Sequence, residues 1–330
     1  MKRHANLLLR LGGLSIFAAS FYYLGDRLVA NLDAVSVLAL SWSTWGMVIT
    51  TGLVYAAALS LPALVWGSLV TDIRGKRPSW QQIMRVYGRA QILKYVPSNV
   101  LQFAGRQLLG ARQGWSQKTI AAASVLEVSL FTSAAGLLVL LFGEAWITEF
   151  APWASRFWLF LLLLALIVGM WLMLNLVPRL PGLRSNPAWH RLRELAPGLK
   201  LPLMLVPLLA FFLICGILVW IMVGVIDRAW HWQLLPEICA GYTAAWLIGF
   251  VSPGVSAGLG IREAAFLVLL GPGLGEPTAV AVALAMRLVS TLGDLLFFAA
   301  AQGLESYGVA SSNSKPAAAP PGRRSSGGPT

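Results

Sequence analysis

Arg106 and Arg262 each stand nine residues after a proline, Pro97 and Pro253, with Gly105 and Gly260 close before them. A guanidinium is a planar fork of donors that matches phosphate or carboxylate. A helix restarting after a proline adds N–H groups and the positive end of its dipole, so both places suit an anion. More cations lie nearby in sequence. Lys94 precedes the first proline, Arg287 lies in a late apolar run, and Arg85 and Arg89 are spaced i, i+4, a repulsive spacing unless something anionic sits between them. Arg85, Arg89, Lys94, Arg106, Arg262 and Arg287 therefore form the candidate set for an anionic headgroup. Glu127, Glu263 and Asp294 are the candidate counter-charges. Ser290, Thr291 and Asp294 continue the face of Arg287 at i+3, i+4 and i+7, so an Arg287–Asp294 structural pair is one reading of that stripe. The other counter-charges could equally bind Arg106 (Glu127) and Arg262 (Glu263) as ion pairs that hold a bundle together. The excess of cations over carboxylates is harder to explain that way.

Two broken helices must position these groups. Pro97 ends what precedes it, having no N–H and forcing Val96 out of the helical region. Ser98 or Asn99 can cap a new helix. Asn99, Gln102, Arg106 and Gln113 then fall at i, i+3, i+7 and i+14 on one face. The arms, residues 80–95 and 99–114, are each about 16 residues or roughly 24 Å of helix, short of the ~30 Å hydrocarbon core. They also carry charges that cost several kcal/mol against lipid. A re-entrant hairpin fits both facts; an amphipathic hairpin lying on the membrane surface is the alternative. The second break is Ser252-Pro253-Gly254, between a half-length apolar run over 237–251 and an arm over 255–270 that Gly271-Pro272-Gly273 should end. Gly254, Gly258 and Gly260 permit close backbone approach there, or serve helix packing.

The rest of the chain is a frame of spans. Hydrophobic residues make up 57% of it, charged residues 12%, and mean hydropathy is +0.71, values of a polytopic membrane protein with no soluble domain. Full spans are expected over 7–24, 44–70, 119–142, 157–177, 201–226 and 278–304. The first could also be read as a signal peptide, but Arg10 interrupts it and no clean small-residue cleavage site follows. Residues 1–304 form one membrane domain. Residues 305–330, rich in Ser, Pro, Gly and Ala, are expected to be a disordered tail.

The net charge of +12 sits in loops beside spans, as the positive-inside pattern requires, which argues against a nucleic-acid partner. The basic loops are the amino terminus, 72–118, 178–200 and the tail; the loops around 26–33, 143–156 and 227–237 are not basic. Both termini are then cytoplasmic. The first hairpin opens from the cytoplasm and the second from outside, so the two span–hairpin–span units are inverted. Inverted repeats with broken helices meeting near the midplane are a transporter architecture. The fold class is thus all-α and polytopic, with six full spans and two re-entrant hairpins. Cys215 and Cys239 offer no metal spacing or disulfide framework, and His4, His190 and His231 are scattered. Neither a metal nor a cofactor is expected.

KYVPSNVLQFAGR with the downstream SVLE, and SPGVSAGLGIREAA with the later AMRLVSTLGDLL, resemble the transmembrane, flippase-like region of lysylphosphatidylglycerol synthases and its stand-alone relatives, the UPF0104 group. The resemblance covers nearly all of residues 1–304. It implies a multi-pass protein of a bacterial inner membrane that moves a lipid between leaflets. Carried over residue by residue, it implicates Lys94, Tyr95, Pro97, Arg106, Glu127, Pro253, Gly260, Arg262, Glu263 and Arg287. The bifunctional synthases add a large soluble aminoacyl-transfer domain after the membrane part, which this sequence lacks, so lysyl transfer is not the expected activity. Ser98 stands where the family has a glycine after the first proline, so a less close backbone approach is expected there.

Three functions suit these features. A lipid flippase or transporter for an anionic phospholipid or other lipid phosphate is favoured, with a separately encoded lipid-modifying enzyme as a possible partner. A non-catalytic scaffold for glycolipid or envelope lipid synthesis is the alternative. A lipid-phosphate transferase is disfavoured, because no acidic metal cluster, activated nucleophile or histidine pair assembles a reacting centre. The protein is not expected to be an enzyme.

Overall fold

The computed structural model describes residues 42–74, 77–95, 101–143, 201–252 and 258–313, together with Tyr22, Asp26, Val29, Ala30, Leu161 and Leu164. The expected spans over 7–24 and 157–177 lie outside the described stretches, as do Pro97, Asn99, Pro253 and Gly254. Every element among the described residues is helical.

α1 (Trp42–Ala58) and α2 (Ser60–Arg74) are one apolar run bent at Leu59. Pro62 is the cause. It cannot donate to the carbonyl of Ala58, and its ring crowds that turn; in the same turn Ser60 Oγ donates to Ala57 O at 2.6 Å. α3 (Trp80–Gln91) opens with a capping box, in which Gln82 N–H donates to Ser79 Oγ and Ser79 N–H donates to Gln82 Oε1. It runs into a 3₁₀ turn, Ile92–Tyr95. α4 (Leu101–Arg112) ends at Gly114, whose φ of 72° lets the chain turn back. Gln113 is therefore past the helix and off the stripe expected to include it.

α5 (Gln117–Phe142) and α6 (Leu201–Ile226) follow the expected spans closely. α7 (Leu235–Val251) does not match the half-length run expected at 237–251. A 3₁₀ turn at Trp232–Leu234 leads into it and Pro236 stands in its first turn, where a proline loses nothing. Trp232–Val251 is then 20 residues of apolar helix, long enough to cross a membrane. α8 (Ile261–Leu274) begins at Gly260 and ends at Gly275, both with positive φ. Gly271-Pro272-Gly273 does not end it, because Pro272 falls in the last turn and costs only the bond to Val268.

α9 (Glu276–Asn313) carries on past Leu304, so residues 305–313 of the expected tail have helical backbone; Pro316 is the first residue beyond that cannot continue a helix. Five helices in all are long and apolar enough to span a membrane among the described residues: Trp42–Thr71, Gln117–Phe142, Pro202–Ile226, Trp232–Val251 and Glu276–Leu304. α3 and α4 have 12 residues each, about 18 Å of rise, and cannot span.

Packing links the elements crosswise. α3 lies on α4 and on α9; α4 lies on α5. α7 lies on α8 and on α5; α8 lies on α9. α6 touches α1, α2, α5, α7 and α9, and its Phe211 and Phe212 pack edge-on against Phe131 of α5. Trp66, Leu59, Leu208, Phe212 and Tyr242 are among the largest fully buried side chains of the core.

Candidate functional site

A cavity of about 250 Å³ opens where α3, α4, α7, α8 and α9 converge. Its cations are Lys94, Arg106, Arg262 and Arg287, so four of the expected headgroup residues from distant stretches line one space. Arg85 and Arg89 do not line it. The reason is periodicity. Tyr87 and Gln91 of α3 do line the cavity, and a residue two positions earlier points about 200° around the helix. The stripe that faces inward is Tyr87, Gln91, Lys94 and Tyr95, at i, i+4, i+7 and i+8. Of the polar stripe expected on α4, Gln102 and Arg106 face the cavity.

Each carboxylate has a partner, though not always the expected one. Glu127 of α5 accepts from Arg106 on one oxygen and from the Tyr87 hydroxyl at 2.8 Å on the other. The Arg106 guanidinium lies 4.0 Å from the centre of the Tyr87 ring. Asp294 pairs with Lys94 rather than Arg287: Lys94 Nζ is 2.6 Å from Oδ2, and the Tyr95 hydroxyl donates to the same oxygen at 2.6 Å. Arg287 is seven residues from Asp294, about 10 Å along the helix axis, whereas the 3₁₀ turn after α3 sits directly on α9. Arg287 Nη1 lies 3.5 Å from Glu263 Oε1 instead. Glu263 also accepts from the N–H of Gly260 at 2.7 Å, which closes the first turn of α8.

Arg262 is left over. It has no carboxylate partner among the described residues, since Glu263, its sequence neighbour, points around α8 to Arg287. Its guanidinium lies 5.8 Å from the Trp246 ring centre, and its Nε is buried without a hydrogen-bond partner. Trp246 is held in turn between Phe131, at 5.4 Å, and Phe250, at 4.8 Å, both stacked on it. Gly249 and Gly258 give Arg262 its place. A Cβ on Gly258 would meet the backbone of Gly249 at 3.1 Å, and a Cβ on Gly249 would meet Arg262 Cβ at 3.2 Å. The segment before α8 therefore passes directly over α7.

No family model and no curated protein matches this chain. The site must be read from its own chemistry.

Sequence reading passed over Tyr55, Tyr87, Tyr242 and Trp246, which supply walls and hydroxyls around the cations. For Tyr87 a signal was present in its i, i+4, i+7 spacing with Gln91 and Lys94. Tyr55, Tyr242 and Trp246 sit in ordinary apolar spans, and nothing local distinguishes them from core aromatics. A second, small space of about 20 Å³ behind Arg262 and Arg287, lined by Tyr242 and Glu263, has room for about one water. The arrangement can bind a compact anion in an otherwise apolar, membrane-embedded setting, where a charged hydrogen bond is stronger than in water.

Proposed function

We propose that this cavity takes the anionic headgroup of a membrane lipid, and that the protein moves such a lipid between the leaflets of a bacterial inner membrane. The observation that carries this reading is Arg262. A half-buried guanidinium facing a cavity without a carboxylate partner among the described residues is costly unless a mobile anion supplies the missing charge. Arg106, Arg287 and Lys94 line the same space, each paired with a carboxylate, so Arg262 supplies the surplus positive charge. The aromatic walls from Phe103 to Phe250 suit the glycerol or first chain carbons next to a phosphate.

In this reading α3–α4 and α7–α8 are the two broken-helix hairpins of an inverted repeat, the second having the full-length apolar helix over 232–251 as its first arm, with six further spans and both termini in the cytoplasm. The crosswise packing supports it. The first arm of each hairpin lies on the span that follows the other hairpin: α3 on α9, and α7 on α5. The second arm of each lies on its own following span: α4 on α5, and α8 on α9. A two-fold exchange of the halves produces that pattern, and it brings Lys94 and Tyr95, just before the first break, and Gly258, just after the second, to one cavity. The resemblance of the two motif regions to the flippase-like part of lysylphosphatidylglycerol synthases points the same way. A lipid-modifying enzyme encoded separately is the natural supplier of the substrate.

The test is transbilayer exchange. Purified protein in liposomes should speed the flip of fluorescent phosphatidylglycerol or a polyprenyl phosphate over empty liposomes, with no covalent change to the lipid. A covalent product without exchange would replace transport with catalysis.

A further inference from the structure

Asp294 is fully buried on α9 and does not line the cavity, yet both groups that hold it do. Lys94 Nζ and the Tyr95 hydroxyl share its Oδ2, each at 2.6 Å, and its Oδ1 is buried without a hydrogen-bond partner. The pair thus straddles the cavity wall, with the Lys94 side chain 19% exposed on the open side and the carboxylate 0% exposed behind it. An anion that enters the cavity competes with Asp294 for the same ammonium.

We propose that Asp294 is a proton-binding site linked to the cavity: when an anionic headgroup takes Lys94, Asp294 takes a proton, so that one proton enters with each lipid. This rests on the headgroup reading of the cavity. The balance is simple. Lys94 keeps its three protons and turns to the phosphate oxygen. Asp294 is left with the Tyr95 hydroxyl alone, and a buried carboxylate without its cation neutralises by protonation. The proton comes from water in the cavity and binds Oδ1, the oxygen with no partner. Among the described residues no group makes a hydrogen bond to Oδ1. The ionisable groups that face this corner are Tyr55 of α1, Tyr242 of α7, Arg262 of α8 and Arg287 of α9 itself. Both tyrosines are neutral hydroxyls, Arg287 is engaged with Glu263, and Arg262 faces the cavity and is taken by the same anion that draws Lys94 away.

The sign follows from linkage. The loaded form holds a proton that the free form lacks, so acid strengthens binding. Where one proton is taken up per lipid bound, affinity should fall about tenfold per unit rise in pH. The full-length protein in nanodiscs would be titrated with phosphatidylglycerol, a phosphodiester whose single charge does not change over the range. Native protein should show the pH slope, and Asp294→Asn should bind without it. In weakly buffered solution with an indicator dye, native protein should take up about one proton per phosphatidylglycerol bound, a measurement that needs no variant to fold. A pH-independent affinity, no proton uptake, or a slope retained in folded Asp294→Asn would overturn the coupling and leave headgroup binding standing; the last result would assign the proton to Glu127 or Glu263. Absence of saturable phosphatidylglycerol binding at every pH would overturn the headgroup reading and the coupling together.

Discussion

Arg106 lies against the Tyr87 ring and shares Glu127 with the Tyr87 hydroxyl, with both charged side chains 3% exposed. Breaking such a pair leaves the other charge buried alone, at a cost of roughly 3–5 kcal/mol. Arg106→Ala and Glu127→Ala should each lower thermal stability in detergent, and the double variant should recover much of the loss. Arg262 stands in a different setting, with Trp246 beside it and no carboxylate partner among the described residues. Arg262→Lys should fold with native stability but weaken phosphatidylglycerol binding about tenfold or more, since an ammonium keeps the charge and loses the fork that grips phosphate. Stability loss in Arg262→Lys with unchanged binding would make Arg262 a structural residue. Both arginines follow a proline by nine residues, so sequence spacing set them as equals. Their neighbours separate them: α4 brings Arg106 onto α5 and its Glu127, while the turn of α8 points Glu263 away from Arg262.

Helix contacts at the centre of the bundle depend on glycine. A Cβ on Gly216 of α6 would lie 2.8 Å from the Cα of Cys239 on α7, a backbone atom that cannot move aside without shifting the helix. Gly46 of α1 is exposed, and a Cβ there meets nothing within 4 Å. Gly216→Ala should therefore destabilise by about 1–3 kcal/mol through overpacking. Gly46→Ala, which gains up to about 1 kcal/mol of helix propensity, should be neutral or stabilising. Thermal unfolding of the two variants in the same detergent gives the comparison, and equal effects would mean that α6 and α7 can slide apart freely. The bend at Leu59 belongs to the same scale. Pro62 was visible in the sequence inside an apolar run, but its consequence is three-dimensional: it places Leu59 and Pro62 on the cavity wall.

For the molecule as a whole, the inverted arrangement predicts that the two breaks are reached from opposite sides. In a background with Cys215 and Cys239 replaced, single cysteines at Ser98 and Ser256 should react with an impermeant maleimide through opposite faces of the membrane, and equal access from one face would end the inverted reading. The sequence by itself determined the class of the molecule: an apolar, all-helical chain with short arms expected over 80–95 and 99–114 and a cationic surplus near its prolines. Those features are local, since apolar runs, helix breakers and charge are properties of neighbouring residues. Start and stop points were less legible, because the 3₁₀ turn at Trp232–Leu234 and the proline tolerated in the last turn of α8 depend on what the helix ends meet. Only the tertiary structure decided the pairings. Lys94 and Asp294 are 200 residues apart, and Arg85 and Arg89 look as suitable as Lys94 until the packing of α3 on α9 turns one face inward. A charge finds its partner through the helices that touch, and no spacing along the chain records which helices those are.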